Sequence, residues 1–291
     1  MWFMQHIDAD KTYSEAYVST ASSYIGNHLL SQFAQVPLKD IDKPLLYKLL
    51  YIRMQEEYAL STIKGVLSVL KTAFTRAKEL GLIASNPLEK ITLRSFTTTQ
   101  PEARPGNLKP HDLPVLVAAI HQQAKAKRVF FMTQLLHGTR IGETALAEWR
   151  HFFSNALEWC LPPENTKNGK EHRLPITQHA MDLINSLPRK GRYIFSVKGD
   201  KPISKRTVER WYQALSDDIG IKFTSHDMRK LARDCWQDKK SRDRLGFLIM
   251  ERGEMLLNHE RDGLDKRYMH KYSREQMRKA LGEWELCIDC S

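Results

Sequence analysis

Apolar residues in the first third of the chain recur at three- and four-residue steps. Val18, Ala21, Ile25, Leu29 and Phe33 do so within TYSEAYVSTASSYIGNHLLSQF, the period of a helix that buries one face. A second helix is predicted from near Asp42, with Pro44 in its first turn and Leu45, Leu46, Leu49 and Leu50 as its apolar positions. A third carries Ile63, Val66, Leu67, Leu70, Phe74 and Ala77 on one stripe and stops at Gly81. Beside that stripe, Lys64, Ser68, Lys71, Thr75 and Lys78 share an adjacent face. Lysines and hydroxyls spaced along a helix suit the positioning of phosphates, although a solvated face has the same composition. Residues 1–92 thus read as a small all-helical unit.

The pattern then breaks. TLRSFTTTQPEARPGNLKP is rich in Thr, Pro and polar residues, so residues 93–110 are predicted to be a linker. Its cations Arg94 and Arg104 are placed to lie against a polyanion. Helical periodicity returns with Leu113, Leu116, Val117 and Ile120, continues through a mostly buried helix from Val129 to Leu136, and resumes in RIGETALAEW after the turn HGTR. Between Arg150 and Ile176 the period becomes two. Leu157, Trp159 and Leu161 alternate with polar neighbours, as do His172, Leu174 and Ile176. Asn168-Gly169 between them is a tight-hairpin signal that puts Lys167 at the hairpin's lip. Helices are predicted at about 177–187, 205–219 and 226–238, with shorter ones through 244–268. A last helix starts at Ser273, where Gln276 completes a capping box. Its apolar face, Met277, Ala280, Leu281, Trp284 and Ile288, is expected to pack on its own core or to dock on a neighbouring subunit. The fold class is therefore mainly α with a small antiparallel β-hairpin or sheet, and residues 111–291 form the second domain.

Charge narrows the partners. The 291 residues carry 45 Lys and Arg against 34 Asp and Glu, a net charge of +11, which favours a polyanion such as nucleic acid. No apolar run approaches the ~18 residues that a membrane span requires. The N-terminal MWFMQHIDADK lacks the pattern of a secretory signal, which points to the cytoplasm. Four scattered cysteines, Cys160, Cys235, Cys287 and Cys290, are too few for a disulfide framework. The single CIDC motif has no second pair for a zinc site, so no metal is expected.

The chemistry concentrates in three stretches. SHDMRKLARDCWQ sets His226 and Arg229 three residues apart on one helix face, aimed at one target. Upstream, HGTRIGE holds Arg140 and Glu143. Downstream, NHERDGLDKRYMHKY holds His259 nine residues before Tyr268. Two arginines offer planar donors to the nonbridging oxygens of a phosphate, a geometry that lysine does not reproduce. A tyrosine is a nucleophile able to store phosphodiester bond energy.

This order of Arg, hairpin Lys, His-x-x-Arg, and His followed by Tyr resembles the tyrosine recombinase family of the phage-integrase type, over roughly residues 105–275. The resemblance implies a two-domain clamp around double-stranded DNA. It implies a site of Arg140, Lys167, His226, Arg229, His259 and Tyr268, in which Tyr268 forms a 3′-phosphotyrosine link and the two arginines stabilise the phosphate. Lys167 is then the acid for the leaving 5′ oxygen, with Lys170 as fallback, His226 assists deprotonation of the tyrosine, and His259 bonds the scissile phosphate. Glu143 matches a structural acidic position, and Tyr272 competes with Tyr268 as nucleophile. DNA contacts fall to Lys64, Lys71, Lys78, Arg94 and Arg104. The resemblance further implies four protomers on two DNA sites with exchanged C-terminal segments, no cofactor, and accessory DNA-bending proteins as optional partners, in a bacterial or phage-encoded cytoplasmic protein. A type IB topoisomerase and a non-enzymatic helical DNA-binding protein remain the alternatives.

The chain departs from the family pattern in three places. His137 stands where the family often has Thr, and Asn258 where it often has Gly. Many phage integrases also begin with an arm-type DNA-binding domain, whereas here the helical unit begins almost at once; the chain reads as a recombinase without that domain or as a fragment.

Overall fold

The computed structural model describes residues 2–101, 104–197, 199–237 and 272–289. The chain divides into two compact units, Met1–Arg104 and Pro105–Ser291, each with its own hydrophobic core.

The first unit is helical. Helix α1 (Trp2–Ala9) precedes the predicted elements and was not anticipated; its Phe3 and Ile7 are buried. Helix α2 runs through Glu15–Tyr24, a π-helical stretch Ile25–Leu29, and Leu30–Phe33. Ser14 caps its start by accepting the Tyr17 amide, and Ala21, Ile25, Leu29 and Phe33 are buried as their spacing predicts. Helix α3 (Lys43–Leu46) widens into a second π-helical stretch, Tyr47–Ile52. Asp42 is its cap, with Oδ1 accepting the Leu45 amide at 2.9 Å. Helix α4 (Leu60–Glu79) buries all six residues of the predicted stripe together with Val69. It ends where Gly81 takes a left-handed φ of 71°, which lets the Leu82 amide reach back to the Ala77 carbonyl at 2.8 Å. Leu93, at the start of the predicted linker, is buried in this unit's core, and Leu108, near its end, is buried in that of the second unit.

The second unit is mainly helical with a three-stranded antiparallel sheet. Helices α5 (Leu113–His121) and α6 (Lys125–His137) come first. From Val129 through His137 every side chain of α6 is buried, so this helix is the centre of the unit rather than one of its faces. Helix α7 is shorter than RIGETALAEW suggested: it spans Ile141–Ala145, and Arg140 stands before it as the cap residue.

Strands β1 (Phe152–Phe153), β2 (Glu158–Leu161) and β3 (His172–Pro175) follow in sequence order. Trp159 pairs with both Phe152 and Leu174. The tight hairpin predicted at Asn168-Gly169 is replaced by a longer connection, residues 162–171, which contains a 3-10 turn at Pro163–Asn165. Gly169 still takes a left-handed φ of 65°. The dipeptide signal located a turn, and the strand pairing stops short of it at Leu161 and His172.

Helices α8 (Gln178–Asn185), α9 (Lys205–Ile219) and α10 (Ser225–Gln237) follow, close to their predicted bounds. Helix α11 (Tyr272–Asp289) begins one residue before the predicted Ser273. Its Met277, Leu281, Trp284 and Ile288 are buried in the core of this same unit. The Trp284 indole donates to the Leu135 carbonyl of α6 at 3.2 Å, and Arg274 pairs with Glu158 of β2 at 2.9 Å. No helix among the described residues is long and apolar enough to cross a membrane.

Candidate active site

The site is built on the turn between α6 and α7. Gly138 closes α6 with a left-handed φ of 59° and donates its amide to the Gln134 carbonyl at 2.8 Å. Arg140 follows in extended backbone. The Glu143 carboxylate, one turn into α7, takes the Arg140 amide at 2.6 Å and the Arg140 guanidinium at 2.7 Å. One side chain therefore caps the helix and aims the arginine.

Arg229 arrives from α10, 91 positions beyond Gly138, and donates Nη1 to the Gly138 carbonyl at 2.5 Å. The same nitrogen lies 3.9 Å from Glu143. Glu143 and Arg229 are buried, while about a third of the Arg140 side chain is exposed. Two guanidinia thus face one carboxylate. Sequence reasoning gave Glu143 a structural part near Arg140; that it also faces Arg229 follows only from the fold.

His226 stands one turn before Arg229 on α10 and is exposed. Partial loss of water around its ring, and after it the charges of Lys230 and Arg229, hold its pKa below the ordinary 6.5. Its neighbour Asp227 was not singled out in the sequence. Burial pushes that carboxyl up, but hydrogen bonds from Thr224 and the Asn107 amide outweigh it and leave the pKa lowered. The bond from Asn107, 3.1 Å long, ties the start of the second unit to the helix that carries His226 and Arg229.

Lys167 and Lys170 are exposed on the β2–β3 connection. The structure assembles Arg140, Glu143 and Arg229 by direct contact. His259 and Tyr268, and the side chain of Tyr272, lie outside the described residues. His137 is no part of the site. It is buried, edge-on to Trp159, and donates Nδ1–H to the Thr133 carbonyl at 3.0 Å. Burial holds its pKa at about 4, so it stays neutral.

In the first unit, the lysine face of α4 borders a groove of about 410 Å³, lined among others by Lys64, Ser68, Lys71, Thr75, Arg76 and Thr92. Lys71 spends a proton on the Ile91 carbonyl at 2.7 Å, and Lys78 pairs with Glu89 at 3.6 Å. Lys64, Arg94 and Arg104 are exposed. Arg76, which the sequence did not single out, is held over the Tyr13 ring and bonded to its hydroxyl at 3.0 Å. Among the described residues there is no cluster of three His, Cys, Asp or Glu suited to a metal ion.

Residues 106–275 match the model of the phage integrase family. The chain belongs to the phage integrase family. Within that family, the prophage integrase IntA of Escherichia coli strain K12 is 27% identical over 186 residues, which make up 62% of this chain and 44% of that protein. The chain thus spans less than half the length of that curated relative. A lambda integrase tetramer bound to a Holliday junction superposes with a TM-score of 0.66 at 19% identity, over 92% of this chain and 78% of that one. The Tn1549 transposon integrase, residues 82–397 in complex with circular intermediate DNA, gives 0.65 at 14% identity, over 88% and 90%. At these identities the likeness is one of fold. It extends across most of this phage integrase family member, beyond the residues of the family match.

Proposed function

We propose that this chain is a site-specific DNA recombinase that cleaves and rejoins strands through a 3′-phosphotyrosine intermediate. The observation that carries the reading is the convergence of Arg140 and Arg229, from two separate elements, on the single buried carboxylate of Glu143. Such a cluster is an anion receptor: its donors are fixed before the ligand arrives, so little reorganisation accompanies charge development on a phosphate. The net charge of +11 and the DNA-bound state of the structural relatives support the same reading.

In this mechanism Tyr268 attacks the scissile phosphate, and Arg140, Arg229 and His259 bond its nonbridging oxygens. His226, neutral because its pKa is lowered, accepts the tyrosine proton. Lys167, on its exposed loop, protonates the leaving 5′ oxygen. The freed 5′-hydroxyl of the partner strand then reverses the step. The helical unit of residues 1–92 and the catalytic unit of 111–291, joined through 93–110, close around the duplex. Lys64, Lys71, Lys78, Arg94 and Arg104 meet its phosphates. Four protomers act on two DNA sites, in the cytoplasm of a bacterial cell; that lambda integrase binds a Holliday junction as a tetramer supports the fourfold assembly.

The test is covalent adduct formation on supercoiled DNA carrying the sequence that flanks the protein's own gene, in chelator. An adduct with the wild type and none with Tyr268→Phe is the expected result; an adduct that survives the substitution moves the nucleophile to Tyr272. Lys167→Ala is expected to cleave slowly on normal DNA and to recover on a substrate whose bridging 5′ oxygen is sulfur, a leaving group that needs no proton. Failure to recover assigns the acid to another group, Lys170 first.

The lowered pKa of His226 sets the sign of the pH dependence. The neutral form is the working form, so the cleavage rate declines as pH falls through the native pKa, which lies below the ordinary 6.5. Lys230→Gln removes one of the cations that depress this pKa and shifts the acid limb to higher pH. A limb that stays in place on single-turnover measurement removes His226 as the titrating group.

A further inference from the structure

The turn that carries Arg140 and receives Arg229 is gripped from beneath by one buried side chain. Gln134, 1% exposed, accepts the Gly138 amide with its own backbone carbonyl and donates Nε2 to the Thr139 carbonyl at 3.0 Å. Its Oε1 accepts the hydroxyl of Tyr212 from α9. Tyr212 is buried among Phe131 and Phe223, and its hydroxyl lies 3.3 Å from the sulfur of Met228, the residue before Arg229. Both polar ends of the Gln134 amide are thus spent on fixing the turn against α9 and α10.

A glutamine in a fully buried helix is costly unless both its donor and acceptor are used. A leucine or methionine would serve packing alone. What the amide adds is a donor to Thr139 O and a rigid link from Tyr212 to the residue that precedes Arg140. Because Arg229 takes its position from the adjacent Gly138 carbonyl, the link bears on both arginines together.

We propose that Gln134 and Tyr212 form a positioning pair that holds the Gly138–Arg140 turn, and with it the two arginines, in the geometry that receives a phosphate. The inference rests on the proposed function only in taking the arginine pair as an anion receptor. Neither residue touches the ligand. Small displacements of such donors are expensive, since a shift of about 1 Å at a reacting centre can cost on the order of a hundredfold.

The test exploits the asymmetry between breaking one partner and replacing both. Tyr212→Phe leaves the buried Gln134 Oε1 without a donor and destabilises the fold. The double variant Gln134→Met/Tyr212→Phe fills the same space with apolar groups and removes the unpaired Oε1, while the Thr139 carbonyl loses its Gln134 donor. Inorganic phosphate is the probe, its affinity read from the rise in unfolding midpoint of the full chain at ionic strength held constant with chloride. Arg229→Ala sets the baseline for phosphate that does not use the receptor. The expected result is a double variant that folds cooperatively and yet binds phosphate at least about tenfold more weakly than wild type.

A double variant that binds phosphate like the wild type would show that the pair serves the fold alone and would overturn the proposal. So would a wild type whose response to phosphate is no larger than that of Arg229→Ala. The assay involves no strand cleavage. A wild type that binds phosphate through its arginines but forms no covalent adduct therefore removes the recombinase reading and leaves the positioning role standing.

Discussion

On the proposed recombinase mechanism, Arg229→Ala is expected to lower the single-turnover rate of strand cleavage by about two to three orders of magnitude, the loss of roughly 3 kcal/mol of transition-state stabilisation that accompanies removal of one preorganised donor. Three features of Arg229 set this size. The side chain is buried, so its charge acts with little screening by water. It is fixed by the Gly138 carbonyl at 2.5 Å before any ligand arrives. Its planar guanidinium holds the Gly138 carbonyl with one nitrogen in a fixed geometry that a flexible ammonium does not reproduce.

Arg229→Lys is expected to fall close to the alanine variant, because one ammonium at the end of a flexible stem does not hold the carbonyl, face Glu143 and meet a phosphate in a single geometry. The measurement is the cleavage rate at saturating protein, with thermal unfolding run in parallel. A lysine variant that cleaves at the wild-type rate would rule out the planar-donor account.

Glu143→Ala is expected to destabilise the second unit by about 3–5 kcal/mol, the range for removing one partner of a buried ion pair. The carboxylate is the counter-charge for two guanidinia and also accepts the Arg140 amide at the start of α7. Its removal leaves two like charges facing each other and a helix without its cap. Glu143→Gln keeps the shape and one acceptor oxygen and loses the charge, so its loss of stability is smaller than that of the alanine variant. Millimolar inorganic phosphate raises the unfolding midpoint of Glu143→Gln more than that of the wild type, since the anion supplies the missing counter-charge. Equal melting of Glu143→Ala and wild type would mean that the carboxylate does not hold the cluster.

Much of this arrangement is legible from side-chain period and a few local signals. The stripe of α4 and the bounds of α9 and α10 follow from apolar spacing, because a long amphipathic helix has one way to bury its face. Asp42 as a cap and Gly81 as a stop were read from residue type, since few residues accept an N-terminal amide or adopt positive φ without strain. Local signals failed where distant packing decided. Helix α7 ends at Ala145 although LAEW continues its apolar pattern, because Ala147 and Trp149 instead pair by backbone hydrogen bonds with Ile194 and Arg192. By composition the lysine face of α4 suits phosphates and solvent alike, whereas in the fold Lys71 and Lys78 have partners of their own.

The sequence by itself determined the family and the candidate chemistry: two arginines, two histidines and a tyrosine in an order that resembles the family's, on a chain of strong positive charge. Only the tertiary structure decided that Glu143 stands between the two arginines, that Gln134 and Tyr212 lie beneath the turn that carries them, and that His137 beside it is a neutral core residue. The reason is physical. Residue types and short spacings set what a segment can do, because caps, turns and helix faces depend on neighbours within a few positions. Which of two buried polar groups meet across some ninety residues depends on how helices pack, and no local pattern encodes that.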